Sequence, residues 1–163
     1  MSYTTGILVM SDKGSRGERE DRSGKQIEEM LGFRFSIDLY DMIPDEKDII
    51  KERLIQWCDE KQLDLILTSG GTGFSARDIT PEACLEVFEK PVPGISEAIR
   101  SMGLLKTPKA MLSRGVSGIR GKTLIINLPG SVKGVRESLE TVLPVLPHGL
   151  DTLRGDSSEC GQE

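Results

Sequence analysis

At 163 residues, with 37% hydrophobic and 29% charged side chains, the chain is the size of a single domain that buries about two-thirds of its unfolded surface and needs no staple. Its net charge of −5, with acidic and basic residues interspersed, lacks the broad basic footprint of a nucleic-acid binder, and no apolar run is long enough to span a bilayer. The three cysteines, Cys58, Cys84 and Cys160, are odd in number and far apart, which argues against a disulfide framework or a zinc-thiolate site and for reduced thiols.

The first residues, Met1-Ser2-Tyr3-Thr4-Thr5, carry no basic-then-apolar leader, so the expected location is the cytoplasm. Gly6 to Met10 is a buried strand ending at Ser11-Asp12. A loop dense in glycine and charge, Lys13 to Arg22, precedes a helix over Ser23–Leu31 with Ile27, Met30 and Leu31 inward and Gly32 as its stop. Its acidic stretch, Glu18 to Asp21, reads as solvated loop. Phe33 to Ile43 alternates as a second strand. Asp45 to about Lys61 has the strongest helical spacing, with Ile49, Ile50, Leu54, Trp57 and Cys58 recurring on one face. Leu63 to Thr68 is the third strand.

There the apolar run breaks into Ser69-Gly70-Gly71-Thr72-Gly73, and an eleven-residue loop from Ser69 to Ile79 leads to a helix with Thr80 as N-cap and Pro81 as its first residue. Glycine permits positive φ and close backbone approach, so successive N–H groups can form an anion cradle. A plain glycine turn is the competing reading, but the length of the loop and its embedded Arg77-Asp78 pair speak for the cradle. Beyond Pro91-Val92-Pro93-Gly94 a helix is expected over Ile95–Met102, stopped by Gly103. Met111–Ile119 and Lys122–Leu128 read as a hairpin about Arg120-Gly121, making one strand antiparallel. Pro129-Gly130-Ser131 then opens a helix from about Val132 to Leu143, and Pro144, Pro147 and Gly149 punctuate a last short helix. One domain over 1–154 and a disordered polar tail over 155–163 are expected.

Strands alternating with helices imply an α/β sheet covered on both faces, with ligands beyond the carboxyl ends of the strands. Three breaks lie at such ends: Ser11-Asp12, Ser69 to Gly73, and Asn127 to Ser131. Pro129-Gly130-Ser131 is a second candidate phosphate site at a helix N-terminus, although Ser131 by itself reads as an ordinary cap. Asp78 lies too far ahead of the helix to cap it. A carboxylate beside a phosphate cradle calls for an intervening cation such as Mg²⁺, while Arg77 offers an alternative partner. Asp45, after Pro44, reads as an N-cap unless the fold brings it to the crevice. The single histidine, His148, excludes a histidine-based triad, and Cys84 falls on a packed helix face. Glycine N–H groups, carboxylates and serines together suit phosphoryl or nucleotidyl transfer, where positioning and charge neutralisation supply most of the catalysis.

Taken in order, Ile43-Pro44-Asp45, Thr68-Ser69-Gly70-Gly71-Thr72-Gly73, Arg77-Asp78-Ile79-Thr80-Pro81-Glu82-Ala83 and Asn127-Leu128-Pro129-Gly130-Ser131 closely resemble the MoaB/Mog family of molybdenum cofactor biosynthesis, from about Gly6 to Arg154. The resemblance implies a three-layer α/β/α sandwich with a mostly parallel sheet and one antiparallel strand, the molybdopterin-binding fold, assembled as a homotrimer. It implies a Mg²⁺-dependent nucleotidyltransferase, a molybdopterin adenylyltransferase that joins AMP from ATP to the terminal phosphate of molybdopterin. The alternative is a non-catalytic molybdopterin-binding scaffold. Carried over by motif, Asp45 and Asp78 are the catalytic, metal-holding acids, and Ser69, Gly70, Gly71, Thr72 and Gly73 form the nucleotide-binding loop. Ser11, Asp12, Pro129, Gly130 and Ser131 supply further ligand loops. The partners implied are ATP, molybdopterin and a molybdenum insertion protein that receives the product, with no nucleic acid and no membrane.

Overall fold

The structure is a computed structural model that describes residues 2–156. Its frame is a six-stranded sheet in the order β2-β1-β3-β6-β5-β4. The strands are β1 (Tyr3–Met10), β2 (Phe35–Ile43), β3 (Leu65–Ser69), β4 (Lys90–Pro91), β5 (Ser117–Arg120) and β6 (Thr123–Leu128). β1, β2, β3 and β6 are parallel neighbours, whereas β5 runs antiparallel to both β6 and β4. The single reversed strand is the expected one. β4 is too short to announce itself in sequence; Pro91, which has no N–H to give a ladder, is tolerated because β4 lies at the sheet edge.

Successive residues of the central strands alternate between two cores, as pleating requires. Ile7, Val9, Leu65, Leu67, Leu124 and Ile126 face one layer, and Leu8, Met10, Ile66 and Ile125 the other. The first layer contains α2 (Ser23–Met30), α5 (Pro93–Leu104), α6 (Val132–Val142) and α7 (Leu146–Arg154); the second contains α3 (Lys47–Ile55) and α4 (Thr80–Val87). A one-turn helix, α1 (Asp12–Ser15), follows β1. None of the described helices is long and apolar enough to cross a membrane.

Several boundaries differ from expectation for identifiable reasons. The long helix predicted over Asp45–Lys61 is α3 followed by a π-helical turn, Gln56–Glu60, whose wider winding buries the adjacent Trp57 and Cys58 together. Ile49, expected inside, is 39% exposed. α5 begins at Pro93, a residue suited to the first helical position, and runs through Gly103, which packs against Ala110. The strand predicted over Met111–Ile119 starts at Ser117; Pro108–Leu112 is a 3-10 turn, and Ser113 to Val116 leave the ladder. Asn127 causes that departure, because its Oδ1 accepts the Val116 N–H at 3.1 Å while its own N–H donates to the Val116 carbonyl at 3.0 Å. Of the predicted tail, Gly155 is the left-handed cap of α7, and residues 157–163, with Cys160, lie outside the described residues.

Candidate functional site

β1 is flanked by β2 on one side and β3 on the other, so the strand order reverses there and the crossover helices leave to opposite faces. A crevice at the carboxyl ends is the geometric consequence. It is a cleft of about 730 Å³ lined by Ser11, Asp12, Asp45, Ser69, Gly70, Gly71, Asp78 and Gly130, among others. The three strand-end breaks therefore converge as expected. Thr72, Gly73, Pro129 and Ser131 do not line it.

The glycine loop is built by close approach. Gly70 has φ +98° and Gly71 φ +70°. A side chain at Gly70 would meet the Met10 carbonyl at 2.5 Å, and one at Gly71 would collide with Thr80 Oγ1 and come within 3.2 Å of Asp45 Oδ1. Gly73 has ordinary φ but crowds Asp78 Oδ2, which lies 2.9 Å from where its Cβ would stand. Thr80 does not cap its own helix. Its hydroxyl donates to the Gly70 carbonyl at 3.0 Å and its N–H to the Gly71 carbonyl at 3.1 Å, and the N-cap falls on Ile79. Because a trans peptide opposes C=O and N–H, these bonds turn the N–H groups of Gly71 and Thr72 away from α4. The neighbouring loop closes alongside: Ser69 Oγ donates to the Pro129 carbonyl at 2.8 Å, and Gly70 N–H to Leu128 at 3.2 Å.

Asp45 is not the N-cap that its sequence context suggested. Glu46 holds that position without a side-chain bond, and Asp45 pairs reciprocally with Asp12. Asp12 N–H donates to Asp45 Oδ2 at 3.1 Å, and Asp45 N–H to Asp12 Oδ1 at 3.0 Å. Arg77 then grips Asp12 with Nε and Nη2, each at 3.0 Å, and reaches Glu46 at 2.8 Å. That guanidinium is the first reason the Asp12 carboxyl is held below the usual carboxylate range. Burial, followed by the charges of Asp12 and Asp78, pushes the Asp45 carboxyl up. Asp78 Oδ2 accepts the Ser75 N–H at 2.9 Å. Asp45 and Asp78 each keep one carboxylate oxygen without a hydrogen bond among the described residues.

Ser131 Oγ accepts the Gly134 N–H at 3.0 Å and Ser11 Oγ the Gly14 N–H at 2.9 Å, so both serines cap helices, α6 and α1. Cys84 is fully buried and its thiol is pushed up to about 12 by burial, in keeping with packing rather than nucleophilic chemistry.

Two sets of residues went unread in the sequence. Lys13, Arg19 and Arg22 line the cleft and supply cations there beside Glu20 and Asp21; of this loop the sequence reading singles out only the acidic stretch Glu18 to Asp21, and as solvated. Arg114, hidden in a predicted strand, fastens the glycine loop: its N–H donates to the Thr72 carbonyl at 2.9 Å, Nε to Gly73 at 2.8 Å and Nη2 to Asp78 at 3.0 Å. A second cavity of about 530 Å³, lined by Arg100, Lys106, Lys109, Ser113 and Glu137 among others, includes Pro129 in its wall, next to the Gly130 of the cleft.

The family model described as "Probable molybdopterin binding domain" matches residues 6–148. The chain is 45% identical to a molybdopterin adenylyltransferase of Helicobacter pylori strain J99, covering 97% of this chain and 92% of that protein. To the molybdopterin adenylyltransferase of Escherichia coli K12 it is 39% identical, over 89% of this chain and 78% of that protein. Among solved structures, the molybdopterin biosynthesis enzyme MoaB of Thermus thermophilus superposes with a TM-score of 0.89 at 55% identity, covering 94% of this chain and 97% of that one. The glycine loop, the two aspartates beside it and these likenesses agree: the chain belongs to the molybdopterin-binding MoaB/Mog family of molybdenum cofactor biosynthesis.

Proposed function

We propose that the protein is a molybdopterin adenylyltransferase. An oxygen of the terminal phosphate of molybdopterin attacks the α-phosphorus of ATP; a new P–O bond forms, the bond between the α-phosphorus and its bridging oxygen breaks, and pyrophosphate leaves. The observation that carries this reading is the convergence of Asp45, just past the carboxyl end of β2, and Asp78 on Gly71 and Gly73, in the loop after β3. An ionised phosphate is already a nucleophile, which explains why the cleft needs neither a histidine nor a reactive thiol. In this reading the Gly71 N–H holds a phosphate oxygen, that of Gly70 being already given to the Leu128 carbonyl, and Lys13, Arg19 and Arg22 meet the departing charge. The cavity beyond Pro129 would give a second substrate a place of its own, with Lys109 in its wall and Lys106 there paired with Glu137 at 3.6 Å.

The acids fit Mg²⁺. Among the described residues there is no cluster of three or more His, Cys, Asp and Glu side chains able to cage a metal. Asp45 and Asp78, each with a spare oxygen and with the Asp45 carboxyl raised by burial and nearby negative charge, suit an ion held by one or two carboxylates and substrate phosphates. Bound there, the ion would neutralise phosphate charge. Arg77 and Asp12 meanwhile keep Asp45 aimed at the loop.

The proposed assembly is a homotrimer in the cytoplasm, delivering its product to a molybdenum insertion protein. Support for self-association comes from Leu104, Leu105, Met111 and Leu112, which are 44%, 78%, 63% and 47% exposed; sedimentation equilibrium tests it. The activity is tested by single-turnover conversion of molybdopterin with ATP and Mg²⁺, for wild type and Asp78→Asn side by side. Product from wild type alone supports the reading. Molybdopterin binding with no product from either protein favours the scaffold instead.

A further inference from the structure

The cleft's chemistry depends on where the loop between β3 and α4 stands, and most of its apex, Phe74 to Arg77, is exposed. Packing does not hold such a segment; discrete polar bonds must. From the mouth, Arg77 ties it to Asp12 and Glu46. From beneath, Arg114 takes the carbonyls of Thr72, Gly73 and Asp78 and pairs with Glu82, so a single residue gathers both ends of the loop.

Arg114 is itself braced. Arg100 Nη1 donates to the Gly115 carbonyl at 2.7 Å and approaches that of Ser113 at 3.5 Å, and Asn127 holds Val116 through both of its backbone groups. The stretch that carries Arg114 is therefore fixed before and after it. Arg114 does not line the cleft, so its influence on a ligand there passes through the loop. The planar guanidinium is what the arrangement needs: its diverging donors reach two carbonyls and a carboxylate at once, which a lysine ammonium on a flexible stem cannot reproduce.

We propose that Arg114 is a positioning residue for adenylyl transfer, acting through Asp78: by fixing the Gly73 and Asp78 carbonyls it sets the Asp78 carboxylate against the glycine loop. The inference rests on the proposed role of Asp78 and deepens it. Arg114 adds no charge at the reacting phosphorus; it removes the freedom of the group that stands there.

The test uses the full chain in the single-turnover and steady-state adenylylation assays, with Arg114→Lys, Arg114→Ala, Asp78→Asn and the double variant Arg114→Ala/Asp78→Asn, each checked by thermal unfolding. The expected result for Arg114→Lys is a folded protein whose kcat falls by about 10- to 100-fold, the range in which misplacement by an ångström acts, with KM for ATP nearly unchanged. Low-millimolar guanidinium should raise kcat of Arg114→Ala and leave Asp78→Asn unaffected. The double variant should be no slower than Asp78→Asn, because a strut cannot matter once the group it supports is gone.

Wild-type kcat in Arg114→Lys alongside an inactive Asp78→Asn would overturn the inference and leave the reading of the site intact. So would a double variant that loses the product of the two single losses, or Arg114→Lys that fails to fold, which would make the role one of stability. Full activity in Asp78→Asn would instead remove the reading of the site, and this inference with it.

Discussion

Replacing Gly70 with alanine tests whether the glycine loop is as tightly built as its contacts imply. The native φ of +98° costs an L-residue about 1–3 kcal/mol. The new Cβ would also stand 2.5 Å from the Met10 carbonyl oxygen. That oxygen cannot swing aside like a side chain, since β1 is paired on both edges; overpacking of this kind adds about 1–3 kcal/mol. A combined loss of about 2–6 kcal/mol, at about 2–4 °C per kcal/mol for a domain of this size, lowers Tm by about 4–24 °C. Circular dichroism melts would measure it, with Gly149→Ala as the control. Gly149 is inside α7 with no atom within 4 Å of its would-be Cβ, so alanine there should stabilise by about 0.5–1 kcal/mol. A Gly70→Ala protein melting within about 2 °C of wild type would refute the reasoning, because a loop able to relax that freely would leave most of the expected loss of about 2–6 kcal/mol unexpressed.

Asp64 joins the start of β1 to the end of α7, accepting from Thr4 N–H at 2.8 Å and from Arg154 at 3.0 and 2.6 Å. Burial pushes its carboxyl up, but Arg154 and Thr4 outweigh it and hold the group below the usual range. Its contribution is thus present above the unfolded value and lost as pH falls through the lower folded one; Asp64→Asn should cost about 1–3 kcal/mol at pH 7 and flatten the acid limb of a stability–pH curve. Asp45 has the opposite sign. Its raised carboxyl makes the folded state take up a proton first, so its charge opposes folding above that point, and Asp45→Asn should gain on the order of 0.5–1 kcal/mol in urea unfolding while losing adenylylation. Burial pushes Cys58 up to about 11 and Cys84 to about 12, so a Cys160→Ser protein should show no thiol reactive to an aromatic disulfide at pH 8 until denaturant is added, and then two.

Much of the fold was legible because its central strands are short apolar runs that end abruptly in glycine, serine or proline. Leu65–Ser69 and Thr123–Leu128 are the clearest cases. The places where the sequence misled are those where a side chain replaced a backbone partner. Asn127 draws Val116 out of the ladder, so a stretch that looks like one long strand is a turn, a strut and a short strand. Thr80 has the residue type of a cap, yet its hydroxyl serves a loop ten residues earlier. Asp45 and Asp78 were singled out as candidates by motif and by their position near strand ends, and both line the cleft. Arg114 was not, because nothing in its neighbours reveals that its side-chain contacts lie 32 to 41 positions away.

The reciprocal bonds between Asp12 and Asp45 make the exits of β1 and β2 a single transferable part. Each carboxylate is oriented by the other's N–H, and Arg77 closes the unit from the glycine loop. A designer moving this centre to another sheet would have to transplant both strand exits and the arginine together, since either aspartate alone arrives without the donor that aims it. The interlock has unequal halves: any residue but proline at position 12 still offers the N–H that aims Asp45, whereas loss of the Asp12 carboxylate frees the Asp45 N–H and Arg77 together.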